Sequence, residues 1–161
     1  MEAAVAELHA RIHDPDCRGL RASLRRCGRP EDAFLSPGFG VAAGVLRPVL
    51  NSRNVEIASI AIVLSEIDRD FGESLGERAA ACGVSYARVL ALMSTESPGL
   101  FLRLLRSLLQ QLKIGKSTSV GAPIADIADH VASWRSKMGR DRLRGQTLAN
   151  FATAGGLPAK I

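Results

Sequence analysis

Between residues 54 and 71, Ile57, Ile60, Leu64, Ile67 and Phe71 recur at spacings of three, four, three and four. Only an α-helix of 3.6 residues per turn brings such positions onto one side. The stripe predicts an amphipathic helix with Glu56, Glu66, Asp68 and Asp70 on its solvent side. The same period returns along the chain. It appears in residues 2–13, and in Cys17, Leu20, Leu24 and Cys27. It appears again in residues 40–51 around Val41, Val45 and Val49, with Pro48 at a kink. Ser85 stands as the cap of a helix over YARVLALMS. Ser97-Pro98 opens a long helix, PGLFLRLLRSLLQQLKIG, with Phe101, Leu104, Leu105, Leu108 and Leu112 inward. Residues 123–138 place Ile124, Ile127, Val131, Trp134 and Met138 on one face, and a last helix spans residues 140–152. No segment alternates with a strand's period of two, so the expected fold class is all-α.

Composition agrees. The residues are 47% hydrophobic but only 4% aromatic, a Leu- and Ala-rich mix that suits packed helices better than a β-sandwich. At 161 residues the chain is one ordinary domain or two small helical subdomains. No apolar run approaches ~18 residues, so no membrane span is expected. The opening MEAAVAELHARIH reads as a surface helix rather than a signal peptide. Cys17, Cys27 and Cys82 are odd in number and sit at helical core positions, which points to buried thiols of a cytoplasmic protein.

Charge is distributed in blocks. Residues 11–53 carry eight basic and four acidic side chains, residues 54–96 three and seven, and residues 97–161 ten and three. The stretch CRGLRASLRRCGRP, residues 17–30, holds five arginines and no acid. Asp14 and Pro15 suit its helical start, and Gly28 with Pro30 its stop. Arg18, Arg21, Arg25 and Arg29 line up beside its apolar stripe, with Arg26 adjacent. Solvated helix faces normally mix signs at i,i+4, because like charges repel. Arg103, Arg106, Gln110 and Lys113 form a second stripe without an acid, and Arg140, Arg142 and Arg144 cluster in the last helix. Such blocks suit a polyanion.

Catalytic constellations are not legible. His9 and His13 lack the glutamate of a zinc-protease HExxH, and a site completed by Cys17 is a poor fit. His130 lies off the Ile127–Val131 side and is expected to be exposed. Glu66, Asp68 and Asp70 read as a solvated face rather than a two-metal site. IGKST has the lysine of a phosphate loop but follows a helix and has one glycine before it. No catalytic residue, cofactor or metal is therefore assigned, and no enzyme activity is expected.

Several motifs, in order, carry a family likeness. HDPDCRGLRASLRR resembles the N-terminal signature of the CasB family, the small subunit of the type I-E CRISPR surveillance complex, Cascade. FGESLGERAAA is similar to that family's Ser-Leu-Gly element, FLRLLRSLLQQLK to its arginine-bearing long helix, and IADIADHVASW to its Asp-Leu-x-x-Trp stretch. RDRLRGQTLANFATA resembles its basic terminal helix. Here only Phe151 stands where the family has a Trp and an aromatic pair, and His130 and Val131 replace an acid and a leucine. The likeness covers most of residues 9–152. It implies two small helical bundles packed side by side, drawn as residues 1–73 and 74–152, with a frayed tail at 153–161. It further implies a non-catalytic subunit that sits in pairs along the inner face of Cascade, against its other subunits. There it would steady the guide RNA–target DNA heteroduplex and hold the displaced strand.

The residues expected to meet phosphates are Arg18, Arg21, Arg25, Arg26, Arg29, Arg103, Arg106 and Lys113, then Arg140, Arg142 and Arg144. Two other readings remain open: a free-standing helix-turn-helix regulator, and a protein-only helical adaptor. A compact recognition helix with Asn, Gln or Ser beside Arg is not evident.

Overall fold

A computed structural model describes residues 1–157, and its class is all-α. Among the described residues the helices are α1 (Glu2–Ile12), α2 (Arg18–Arg25), α3 (Pro30–Ala33), α4 (Pro37–Leu50) and α5 (Asn54–Glu66). They continue with α6 (Leu75–Ala81), α7 (Tyr86–Ser94), α8 (Pro98–Leu109), α9 (Ile124–Ala132) and α10 (Lys137–Thr153). The chain separates into two units, Met1–Asp68 and Arg69–Ile161. The first break thus falls five residues earlier than the sequence suggests. Residues 158–161 of the expected tail lie outside the described residues, and α10 still covers Thr153.

Short polar residues set four of the ten described helix starts. The hydroxyls of Ser36, Ser74, Ser97 and Ser136 accept the amides of Phe39, Glu77, Leu100 and Gly139 at 3.1–3.3 Å. Ser85 holds the corresponding position before α7 without a side-chain cap. Asp14 caps a short 3₁₀ turn, Pro15–Cys17, that leads into α2. Pro30 does more than stop α2. The amides of Gly28 and Arg29 donate to Asp32 at 3.2 and 2.9 Å, so Pro30 opens α3.

In the first unit α5 is the centre, packed by α1, α2, α3 and α4. Every residue from Glu56 to Glu66 is buried. The stripe predicted a helix with a wet side, and that is corrected. Ala58, Ala61, Ile62 and Val63, between the stripe positions, are as buried as Ile57 and Leu64. A helix walled on all sides needs apolar or small residues all round. Glu56 survives burial beside Arg53, 3.3 Å away. α4 likewise begins earlier than expected and buries Ala42, Ala43, Val45, Leu46 and Leu50, while Val49 is exposed.

At the end of α5 the Ile67 amide reaches Leu64 O at 3.3 Å, and no further helical amide follows for the other carbonyls. Three side chains from α1, the segment after it and α2 close this end. His9 Nε2 donates to Ile67 O at 2.7 Å, His13 Nε2 to Leu64 O at 3.0 Å, and Arg21 Nε to Ser65 O at 2.9 Å. Because a carbonyl only accepts, both rings carry their proton on Nε2. The rings stack with centroids 4.2 Å apart. Both histidines therefore serve as backbone caps, not as ligands of a zinc site.

In the second unit the Ser-Leu-Gly element acquires a physical role. Ser74 and Glu77 form a reciprocal capping box. The Leu75 amide donates to Asp126 at 2.7 Å, and the Ile124 amide at the start of α9 donates to Asp70 at 3.1 Å. Gly76 lets α6 cross α10 closely: a Cβ there would lie 2.2 Å from Thr147 O and 2.8 Å from Phe151 N. Arg78, nearly buried, donates to Gly121 O at 2.9 Å and Lys113 O at 3.1 Å, with its guanidinium 4.1 Å from the Phe71 ring centroid. These bonds sit against two strands the periodicity does not announce, β1 (Arg69–Asp70) and β2 (Gly121–Ala122), paired in parallel with Arg69 opposite Gly121.

The expected helix over residues 123–138 breaks. α9 ends at Ala132, Trp134 lies in a 3₁₀ turn, and Ser136 caps a new helix. Met138 is consequently 82% exposed instead of facing the core. His130 is corrected in the opposite sense: it is buried, with Nε2 2.9 Å from the Thr147 hydroxyl. Glu66, Asp68 and Asp70 are not a solvated face either, since Glu66 is buried, Asp68 pairs with Arg21, and Asp70 caps α9.

Two outcomes follow for stability. Gly76→Ala pushes a methyl into the α10 backbone, which cannot move aside as a side chain could; a loss of about 1–3 kcal/mol in urea denaturation is expected. For His13, burial is the main cause that lowers its pKa from 6.5 to about 4. The unfolded state then binds a proton that the folded state resists between those values. Stability contributed by neutral His13 is present above pH 6.5 and is lost as pH falls toward 4. His13→Gln, which keeps a donor, should therefore flatten the acid side of the stability–pH curve relative to the parent.

Candidate nucleic-acid interface

The arginines of α2 divide by their position around the helix. Leu24 faces the core, while Arg18 and Arg25 lie on the exposed side, with Arg26 just past the last turn. Arg18 and Arg26 are exposed and enter no ion pair among the described residues. Arg21 lies at the edge between that side and the Leu24 face and reaches inward. Its side chain is 23% exposed, reaches Asp68 at 2.5 Å and closes the α5 carboxyl end. The stripe is acid-free along its own helix, but folding supplies an acid from elsewhere. Arg29 lies beyond α2 as the residue before α3, with its guanidinium 3.5 Å from Asp32. Those bonds hold the Asp32 carboxyl below the usual carboxylate range, the Arg29 amide contributing most.

The second unit divides similarly. Arg103 is exposed on α8, and Arg106 is half-buried on the same helix. Lys113 spends its ammonium locally, on Gln110 Oε1 at 3.2 Å and Thr118 O at 3.1 Å, bracing the IGKST turn. Gly115 in that turn adopts φ +57°, and the turn stands between α8 and β2 rather than between a strand and a helix.

Arg140 and Arg144 form a structural cluster, which corrects the expectation that they reach outward. Their side chains are only 16% and 11% exposed. Both guanidiniums lie over Trp134, at 5.3 and 5.5 Å from the ring centroid, and Phe101 packs on the same ring at 4.8 Å. Glu96 pairs with Arg140 at 3.6 Å and Arg144 at 3.1 Å, and the carbonyls of Trp134 and Thr95 accept from them. Arg142, between them in sequence, points outward and is exposed. A helix turns by about 100° per residue, so alternate arginines cannot share one face.

Sequence reading passed over Arg88. It is exposed on α7, off the face where Val89, Leu92 and Met93 are buried. Its signal was present as a lone cation among apolar residues that the Val89–Leu92–Met93 face does not include. Among the described residues, no three His, Cys, Asp or Glu side chains are grouped so that they could hold a metal ion.

The arrangement separates arginines that hold the fold from those that can meet an anion. Arg21→Ala and Arg144→Ala each remove bonds made to backbone carbonyls and a carboxylate, and should cost about 1.5–3 kcal/mol. Arg18→Ala and Arg142→Ala should stay within about 0.5 kcal/mol of the parent in the same denaturation series. No family model matches the chain, and neither does any curated protein or solved structure.

Proposed function

We propose that this chain is a non-catalytic, sequence-nonspecific nucleic-acid-binding subunit of a type I-E Cascade complex. Its partners are then guide RNA, target DNA, other Cascade subunits and a second copy of itself. The observation that carries the reading is the α2 surface, where Arg18 and Arg26 are exposed without a neutralising acid. Two long cations at opposite ends of α2, about 12 Å apart along its axis, suit phosphate oxygens, which demand charge rather than base-specific geometry. The motif order of the sequence, from HDPDCRGLRASLRR to RDRLRGQTLANFATA, directs that chemistry to an R-loop. Arg103 and Arg142 add exposed cations to the second unit. Arg21, Arg140 and Arg144 hold those surfaces in place and make no phosphate contact of their own. No helix among the described residues is long and apolar enough to cross a membrane.

The test uses Cascade assembled with guide RNA and the protein carrying Arg18→Gln and Arg26→Gln together. Binding to an R-loop substrate is measured across a salt series. Each arginine on a phosphate releases condensed counterions, so the log–log slope should become shallower by about 0.7–0.9 per contact, equally for unrelated target sequences. An unchanged slope would make these arginines ordinary solvated charges. A loss confined to one sequence would favour base readout, and failure of the chain to join the complex would remove it from Cascade.

A further inference from the structure

The loop Thr95-Glu96-Ser97 joins α7 to α8, and a groove of about 270 Å³ lies along these two helices. Arg88 and Ala91 line it from α7, and Leu104, Ser107, Leu108 and Gln111 from α8 and the turn after it. Ala91 is too small to fill the space, and Leu104 is only half-buried although its spacing assigned it to the core. Leu100, one turn earlier on the same face of α8, is 37% exposed. The groove is therefore a shallow aliphatic trough that continues onto an apolar helix face.

Its chemistry narrows the occupant. The volume far exceeds what one water needs and falls just short of the roughly 300–1,000 Å³ of a cofactor or drug-sized site. One or two large side chains suit it better than a whole small molecule. The lining offers no aromatic ring on which a base could stack, which disfavours a nucleotide. Its single charge is the guanidinium of Arg88, with Ser107 and Gln111 as neutral hydrogen-bonding groups. Arg88 enters no ion pair among the described residues.

We infer that the α7–α8 groove docks an acidic amphipathic helix of another protein. An aliphatic side chain of that helix enters over Ala91, Leu104 and Leu108, and an Asp or Glu within one turn of it meets Arg88. This is helix-in-groove recognition, in which the apolar knob supplies affinity and the ion pair sets orientation. The groove belongs to the second unit and the α2 arginines to the first, and this inference does not rest on the proposed function.

The full-length protein can be panned against a displayed library of 16-residue amphipathic helices with randomised knob and flanking positions. Enriched peptides should carry Leu, Ile or Met with Asp or Glu three or four residues away. Arg88→Glu should weaken a selected peptide at least tenfold by fluorescence anisotropy, and replacing that peptide's acid with Lys should restore binding to the variant. Ser107→Arg, an exposed substitution at the groove wall, should block both peptides while leaving the circular dichroism spectrum and the melting temperature unchanged. Absence of enrichment, or equal binding to the parent and both variants, would overturn the inference. Displacement of the peptide by a dT oligonucleotide would overturn it too, and assign the groove to nucleic acid.

Discussion

The carboxyl end of α5 is the constraint on which the first unit depends. A helix buried along Glu56–Glu66 cannot leave its last carbonyls to water, because an unsatisfied buried acceptor costs about 1–3 kcal/mol. The chain meets this with His9, His13 and Arg21, all from the first twenty-one residues. That requirement fixes α1 and α2 against α5. It also decides which face of α2 turns outward, because Arg21 must point in. Arg18, about 60° further round α2, stays exposed. A hydrogen-bond demand in the core thus orients the cationic surface.

The second unit solves a related problem with different groups. Gly76 permits the α6–α10 crossing, and Arg78 reaches the carbonyls of Gly121 and Lys113. Asp70 and Asp126 each accept the first amide of a helix far away in sequence. Carboxylates at helix N-termini also gain from the aligned peptide dipoles. Around Trp134, Arg140 and Arg144 combine packing on the ring with charge pairing to Glu96. Guanidinium suits such places because its flat face stacks while its edge donates. Arginine in this protein therefore falls into two sets, one bonded into the fold and one exposed, and counting positive charge does not distinguish them.

The helical class was legible in the three-four spacings and the start of α8 in Ser97-Pro98, whereas the caps at Ser36, Ser74 and Ser136 came only with the structure. Those are local properties, set by backbone geometry and by side chains bonding amides three residues on. Less of the candidate surface was legible. Arg18, Arg26, Arg103 and Arg142 are exposed as the stripes suggested, whereas Arg21, Arg140 and Arg144 are held inward by partners far along the chain or around a bend. The burial of His130 was hidden because its partner, Thr147, belongs to another helix. Arg88 stood outside every stripe and gained interest only through the groove beside it.

What the sequence by itself determined is the helical class and local starts such as Ser97-Pro98, since both depend on residues within about four positions. It also determined where positive charge is concentrated. Tertiary structure decided which helix would be buried on every side, which acids would be consumed, and which arginines would remain outside. The physical reason is that burial and ion pairing belong to pairs of distant residues. Asp68 meets Arg21, Glu96 meets Arg144, and Gly76 meets the α10 backbone only once the chain has closed upon itself.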